Sequence, residues 1–271
     1  MSTYAELKNE AIRATAGIIE TNANFVDAVI FGPAVDGVPW DERTGASTAK
    51  LMLATVEDTG ADAEVNIWDL TSTTIASATP LATVTITGSA AASSIDACMG
   101  YIIIGDRGDG VHFVHPYTGD AWAEALTGWP RAFLSTSGAV VLADNDVGSV
   151  AAGLSDQPAY DPRSGGFMPS FAVGYRSGSI YGSVLKDDGN IWDDAGAAHN
   201  GPNAVSIDGG NIFFAEDNGG SLEIIWQTTP ISLISADSVF DKWGVIRASN
   251  GNWNYCFDND NGVVVKGQKI V

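Results

Sequence analysis

The sequence predicts an all-β chain, an irregular β-propeller of about five or six blades behind a short N-terminal helix, with a β-sandwich or a hairpin array as alternatives. Three observations lead there. From Ile18 onward, short apolar runs alternate with turn-forming residues up to the C-terminus. Asp-Gly or Asn-Gly pairs stand between many of those runs. A loose repeat of strand, Asp/Asn/Gly turn and second strand, often ending near Trp, recurs along the chain.

The helix is expected at the start, where Tyr4, Leu7, Ala11, Ala14 and Ile18 recur at helical spacing. Thr3 and Glu6 are placed for a capping box, and Gly17 is a natural stop. The apolar runs follow as Ala28 to Phe31, Leu51 to Val56, Glu64 to Trp68, Ala82 to Ile86, Tyr101 to Ile104, Val111 to Val114, Ala139 to Leu142, Phe171 to Val173, Ile212 to Ala215, Leu222 to Trp226, Gly244 to Ile246 and Gly262 to Val265. Turn pairs stand at Asp36-Gly37, Asp109-Gly110, Asp188-Gly189, Asp208-Gly209, Asn200-Gly201, Asn218-Gly219, Asn250-Gly251 and Asn261-Gly262. Both residue types of these pairs tolerate positive φ, which a tight hairpin with right-handed strand twist requires. Hairpins are therefore expected around Gly60, Gly110, Gly148, Gly189, Gly219 and Gly251. Their spacing of about 30 to 50 residues is compatible with, but less regular than, propeller blades.

The polar stretch Asp41 to Ser47 divides an N-terminal arm, residues 1–44, from a propeller-like domain, residues 45–271. The Pro/Gly-rich stretch Asp156 to Ser170 reads as a long surface loop able to carry function.

The chain has 271 residues, 45% of them hydrophobic, and a net charge of −20 from 33 acidic and 13 basic side chains. It can bury a sizeable core, which separates it from acidic disordered tails. Nucleic acid and anionic membranes are not expected as partners, because the few Lys and Arg form no cluster. No apolar run reaches the length of a membrane span, and no export signal is read at the start, so synthesis in the cytoplasm is expected. Cys98 and Cys256 read as buried free thiols. His112 and His115 stand three apart in a strand, on opposite faces, and so do not share a metal.

Asp187-Asp188-Gly189-Asn190-Ile191-Trp192 resembles the Asp-box of sialidase-type propellers, with Leu185 where that motif has Ser or Thr. The resemblance implies a structural fastener at a hairpin tip. Catalysis of the sialidase kind would need converging arginines, and Arg13, Arg43, Arg107, Arg131, Arg163, Arg176 and Arg247 give no sign of convergence. Asp144/Asp146 before Gly148 and Asp258/Asp260 before Gly262 could begin a calcium cage. Neither has the downstream Glu of an EF-hand loop, and acidic hairpin tips are the favoured reading. Arg107-Gly108-Asp109 is read as a turn. With no nucleophile elbow or phosphate loop, a non-enzymatic chain without cofactor is expected.

A recognition surface is expected between His115 and Phe133, where Tyr117, Trp122, Trp129 and Arg131 stand near Asp120 and Glu124. Tyr160, Arg163 and Phe167 in the long loop could extend it. Rings beside acidic groups suit stacking on sugar faces, and Trp or Arg anchors suit protein interfaces. The competing reading packs the tryptophans between blades.

The degenerate hairpins quoted above, the N-terminal helix and an acidity in which Asp far exceeds Glu resemble β-propeller proteins of bacteriophage virions, among marine phages in particular. The resemblance implies a tail or tail-fibre component located in the virion, assembling with copies of itself and other virion proteins and contacting a host-surface glycan. A sialidase-like glycoside hydrolase and a cellular propeller adaptor are the alternatives.

Overall fold

The computed structural model describes residues 24–32, 52–69, 80–89, 91–115, 120–124, 142, 144–161, 166–176, 182–194, 202–217, 223–228, 230–234, 242–248, 254–258 and 263–267. These residues form an all-β assembly of several antiparallel sheets. The expected N-terminal helix falls in residues 1–23, outside the described residues.

The first sheet is β1 (Phe25–Phe31), β2 (Met52–Asp58), β3 (Asp62–Asp69) and β4 (Ala82–Thr87), hydrogen-bonded in sequence order. The second repeats that meander with β5 (Ala92–Cys98), β6 (Tyr101–Asp106), β7 (Gly110–His115) and β8 (Asp120–Glu124). The third runs β9 (Val147–Gly153), β12 (Ser170–Tyr175), β13 (Gly182–Leu185) and β14 (Ile191–Asp194). A small hairpin, β10 (Tyr160–Asp161) and β11 (Gly166–Phe167), is inserted between β9 and β12. The fourth is β15 (Pro202–Asp208), β16 (Asn211–Asp217), β17 (Glu223–Thr228) and β18 (Lys242–Ala248), and β19 (Asn254–Asp258) pairs with β20 (Val263–Gly267). β1 lies in the stretch expected as an arm, yet it pairs with β2 through most of its length. The boundary near residue 44 therefore falls within the connection between two strands of one sheet.

The sheets are joined through their first strands: β1 packs against β5, β5 against β9, β9 against β15, and β15 against β19. Ser93 Oγ donates to the Val147 carbonyl at 2.8 Å, and the Val150 N–H donates to Ser94 Oγ at 2.9 Å. These bonds hold β5 and β9 side by side. On β6 and β12 every residue is buried, because each strand has a neighbouring sheet on both faces. Gly105 makes one such approach possible: a Cβ there would stand 2.8 Å from Val147 Cγ1. Phe113 and Phe171 meet edge to face, centroids 5.1 Å apart, within an apolar core that spans the first three sheets. A second core, with Ala172, Val184, Ile207, Ile212 and Phe214, lies between the third and fourth.

The acidic turns have a common chemistry. Asp58 Oδ1 accepts the N–H of Gly60 at 2.7 Å, Asp106 Oδ1 that of Gly108 at 2.6 Å, and Asp188 Oδ1 that of Asn190 at 3.0 Å. Gly60, Gly110 and Gly189 have φ near 84–88°, as their expected turns require. Gly148 is a correction: it lies inside β9 rather than at a hairpin tip. A Cβ there would meet Arg176 Cγ at 2.4 Å, so the glycine serves close packing.

Candidate functional site

The described part of the long Pro/Gly stretch, residues 156–161 and 166–170, is held as a platform. Asp187, in the turn after β13, holds its base: its carboxylate accepts the Ala159 N–H at 2.5 Å and the hydroxyls of Ser155 at 3.2 Å and Ser170 at 3.4 Å. Ser170 Oγ in return accepts the Asp187 N–H at 3.1 Å, and the Met168 N–H closes the neck on the Ala159 carbonyl at 2.8 Å. On this base the inserted hairpin places Tyr160 directly opposite Phe167. Opposed residues share one face of an antiparallel pair, so two aromatic side chains stand together. Both face solvent, at 64% and 41% exposure.

A second segment is fastened beside the platform. Asp156 Oδ2 accepts the Ser232 hydroxyl at 2.6 Å, and Asp156 Oδ1 the Ser232 N–H at 3.1 Å. Burial works to raise the Asp156 pKa, but these two Ser232 bonds, together with its own backbone N–H and the charge of Lys186, outweigh it and hold the carboxyl below its usual range. Ser232 belongs to a short 3-10 turn, Ile231–Leu233, anchored by Ile231 in the second core. Its neighbour Leu233 is 67% exposed. From below, the buried Lys186 ammonium donates to the carbonyls of Ser232 at 3.3 Å and Ile234 at 2.9 Å and lies 3.5 Å from Asp188 Oδ2. Gly210 closes the junction, because a Cβ there would stand 2.3 Å from the Asp156 nitrogen. Tyr160 and Phe167 are thus exposed on one segment and Leu233 on another, the two segments joined by the Asp156–Ser232 bonds, with Asp156 and Asp188 also exposed.

Of the residues singled out from sequence, Tyr160 and Phe167 lie in this site. Trp122 is on β8, in register with Phe113 of β7. Tyr117, Trp129, Arg131 and Arg163 fall outside the described residues. The structure joins Tyr160 to Phe167, and it adds Leu233 and the Asp156–Ser232 clasp, which sequence reasoning missed. The Asp-rich turn Asp187-Asp188-Gly189 was the available signal, but it carried no sign that the Asp187 carboxylate reaches back to Ala159.

Two buried polar groupings lie elsewhere. Tyr175, Ser183 and Asp193 form a hydrogen-bonded chain, with 2.6 Å between the Tyr175 and Ser183 hydroxyl oxygens and Ser183 donating to Asp193. In the second sheet Asp106 accepts the Ser89 hydroxyl and the N–H groups of Gly108 and Asp109. Burial works to raise the Asp106 pKa, and these bonds, with His112 nearby, prevail and hold it low. His112 stands opposite Ile104, two residues along β6 from Asp106 and on the same face. It is buried, neither ring nitrogen has a hydrogen-bond partner among the described residues, and burial lowers its pKa against the opposing pull of Asp106 and Asp109.

At the first suggested calcium loop, Asp144 Oδ1 accepts the Asp146 N–H at 3.0 Å, an ordinary turn bond. Asp258 ends β19, and Asp260 lies outside the described residues. Among the described residues no group of three or more His, Cys, Asp or Glu could hold a metal ion. Cys98 is buried.

No family model matches the chain, and no curated protein matches it. Among solved structures it is similar to the AfRom2 CNH domain, at 12% identity and a TM-score of 0.41 over 74% of this chain and 52% of that one. It is also similar to the computationally designed Ika8 protein, at 10% identity and a TM-score of 0.46 over 90% of this chain and 55% of that one. The chain spans about half the length of each.

Proposed function

We propose that this chain is a non-catalytic binding and assembly module of β-propeller build, a bacteriophage tail or tail-fibre component whose inserted hairpin contacts a host-surface glycan. The propeller reading is supported by the succession of sheets, each beginning with a strand that packs against the first strand of the sheet before it. It is supported too by the first sheet, where Met52, Ala54 and Val56 on one face of β2 and Leu53 and Thr55 on the other are all buried. A blade between two neighbours needs that pattern.

The observation that carries the binding role is the Tyr160–Phe167 pair. Large rings facing solvent on an element fixed by Asp187 lose little conformational freedom when they bind, which is the economy of a preorganised stacking surface. The exposed carboxylates of Asp156 and Asp188 supply acceptors for sugar hydroxyls. The virion setting rests on the sequence resemblance.

The test is binding of the full chain to an array of bacterial surface glycans, repeated with Tyr160→Ala and Phe167→Ala. Specific capture that each substitution weakens about tenfold or more supports the reading. Capture indifferent to both substitutions, or turnover of labelled glycosides, overturns it.

A further inference from the structure

We infer that Asp208-Gly209, in the turn between β15 and β16, is a site of spontaneous backbone modification, where Asp208 passes through a cyclic imide to isoaspartate and so loosens the Asp156–Ser232 clasp. The inference concerns the chemistry of one turn and stands independently of the glycan reading. The main-chain nitrogen of the residue after an aspartate can attack that aspartate's own carboxyl carbon. Glycine in that place shields the nitrogen least, because it has no side chain.

The described residues contain the Asp-Gly pairs at Asp109, Asp188 and Asp208, and the first two are guarded. The Gly110 N–H donates to the Asn145 carbonyl at 3.2 Å, and the Gly189 N–H to the Lys186 carbonyl at 2.9 Å. The Asp188 carboxylate is engaged as well, by the Asn190 N–H and the Lys186 ammonium. The third pair differs at both reacting groups. Among the described residues, neither the Gly209 N–H nor the Asp208 carboxylate has a hydrogen-bond partner. Gly209 is exposed, and a Cβ there would meet nothing within 4 Å, so the space around it is open. Asp208 and Asn211 are the last pair in the β15–β16 register, so fraying of one pair frees the carboxyl to swing onto the nitrogen.

The chemistry balances with water alone. The Gly209 nitrogen bonds to Asp208 Cγ, and the carboxyl hydroxyl leaves as water with the proton that the nitrogen gives up. Water then adds at the Asp208 main-chain carbonyl carbon and breaks its bond to the Gly209 nitrogen. The chain now runs through Cγ, with one more methylene in its backbone and the former main-chain carbonyl as a free carboxylate. One water leaves and one enters, and nothing is oxidised or reduced.

The added methylene lies close before Gly210, which has little room to move. A Cβ on Gly210 would stand 2.3 Å from the Asp156 nitrogen, and the Gly210 carbonyl accepts the Ile231 N–H at 2.7 Å. Ile231 begins the 3-10 turn whose Ser232 is held by Asp156. A longer backbone before Gly210 displaces it from both contacts, and the clasp opens.

The test is prolonged incubation of the full chain below its melting temperature, beside Asp208→Glu, whose longer side chain disfavours the ring. Peptide mapping by mass spectrometry, with labelling by an isoaspartyl methyltransferase, locates the product. In the wild type, isoaspartate is expected to accumulate at Asp208 severalfold faster than at Asp109 or Asp188, preceded by a species lighter by one water. Hydrogen exchange at Ile231 and Ser232 is expected to quicken in the isomerised fraction and to stay unchanged in incubated Asp208→Glu. Isoaspartate absent from Asp208, accumulation at Asp109 or Asp188 at an equal or higher rate, exchange at Ile231 and Ser232 unaltered by isomerisation, or exchange that quickens equally in Asp208→Glu each overturns the proposal.

Discussion

The Asp96 carboxylate on β5 accepts the backbone N–H of Ala152 on β9 at 2.8 Å, so a side chain from one sheet completes the main chain of the next. The preceding junction uses the same device, with Asp27 Oδ2 of β1 accepting the Ile95 N–H of β5 at 3.0 Å. At the following junction the contact is steric: Gly153 of β9 lies against Ile207 of β15. Burial raises the pKa of Asp27 against the N–H groups of Ile95 and Ala28. This first junction thus holds its carboxylate at an energetic cost.

Asp96→Ala leaves the Ala152 N–H buried and without that acceptor. A loss of about 1–3 kcal/mol of unfolding free energy is expected. Urea denaturation checks it, and Asp96→Asn, which keeps an acceptor oxygen, is expected to lose less.

Gly153→Ala would place a Cβ 2.5 Å from Ile207 Cγ2 and 2.8 Å from its Cβ. Overpacking of this kind costs about 1–3 kcal/mol. Ile207→Ala removes Cγ2 and keeps only Cβ, relieving the tighter of the two contacts, so the double variant is expected to be more stable than the two single losses sum to. A double-mutant cycle in denaturant measures the coupling.

His112 gives acid sensitivity of a definite sign. Its folded pKa lies below the unfolded value near 6.5, so the unfolded chain takes up the proton first. The stability it contributes is complete above about pH 6.5 and is lost as pH falls toward the folded value. Asp106, held low, yields its contribution only further down the scale. Melting temperature followed from about pH 8 to about pH 5 is expected to decline in the wild type and to stay flatter in His112→Leu.

Asp187→Ala releases the Ala159 N–H and the hydroxyls of Ser155 and Ser170 together. The expected result is faster proteolytic cleavage within residues 154–169 and weaker glycan capture, with the other sheets still folded. Limited proteolysis with mass mapping of the fragments checks it.

The hairpins were legible because their chemistry is local. Tyr101 to Ile104 and Val111 to Val114 became β6 and β7 around the turn expected at Asp109-Gly110, and Asp208-Gly209 marked the turn between β15 and β16. Strand β5 escaped notice, and β9 was expected only as the second arm of a hairpin around Gly148, because Ala-Ser-Ser-Ile-Asp-Ala-Cys and Val-Gly-Ser-Val-Ala-Ala-Gly are rich in small and polar residues. Their composition suits close approach to a neighbouring first strand, and only the assembled sheets create that demand. The Tyr160 platform was half legible for the same reason. Its ring was visible in the sequence, while Asp187 and Ser232, which fix its base and its neighbour, come from distant turns.

The first-strand junctions also set an order of events during synthesis. Residues 25–87, 92–124, 147–194 and 202–248 each supply one whole four-stranded sheet, so most pairing partners leave the ribosome close together. Contact order within a sheet is low, and folding is expected to be quicker than in sandwiches, whose partners are far apart in sequence. A newly formed sheet nevertheless keeps one apolar face open until its successor emerges. The carboxylates of Asp27 and Asp96 wait on that open side, ready to fix where the incoming strand stops.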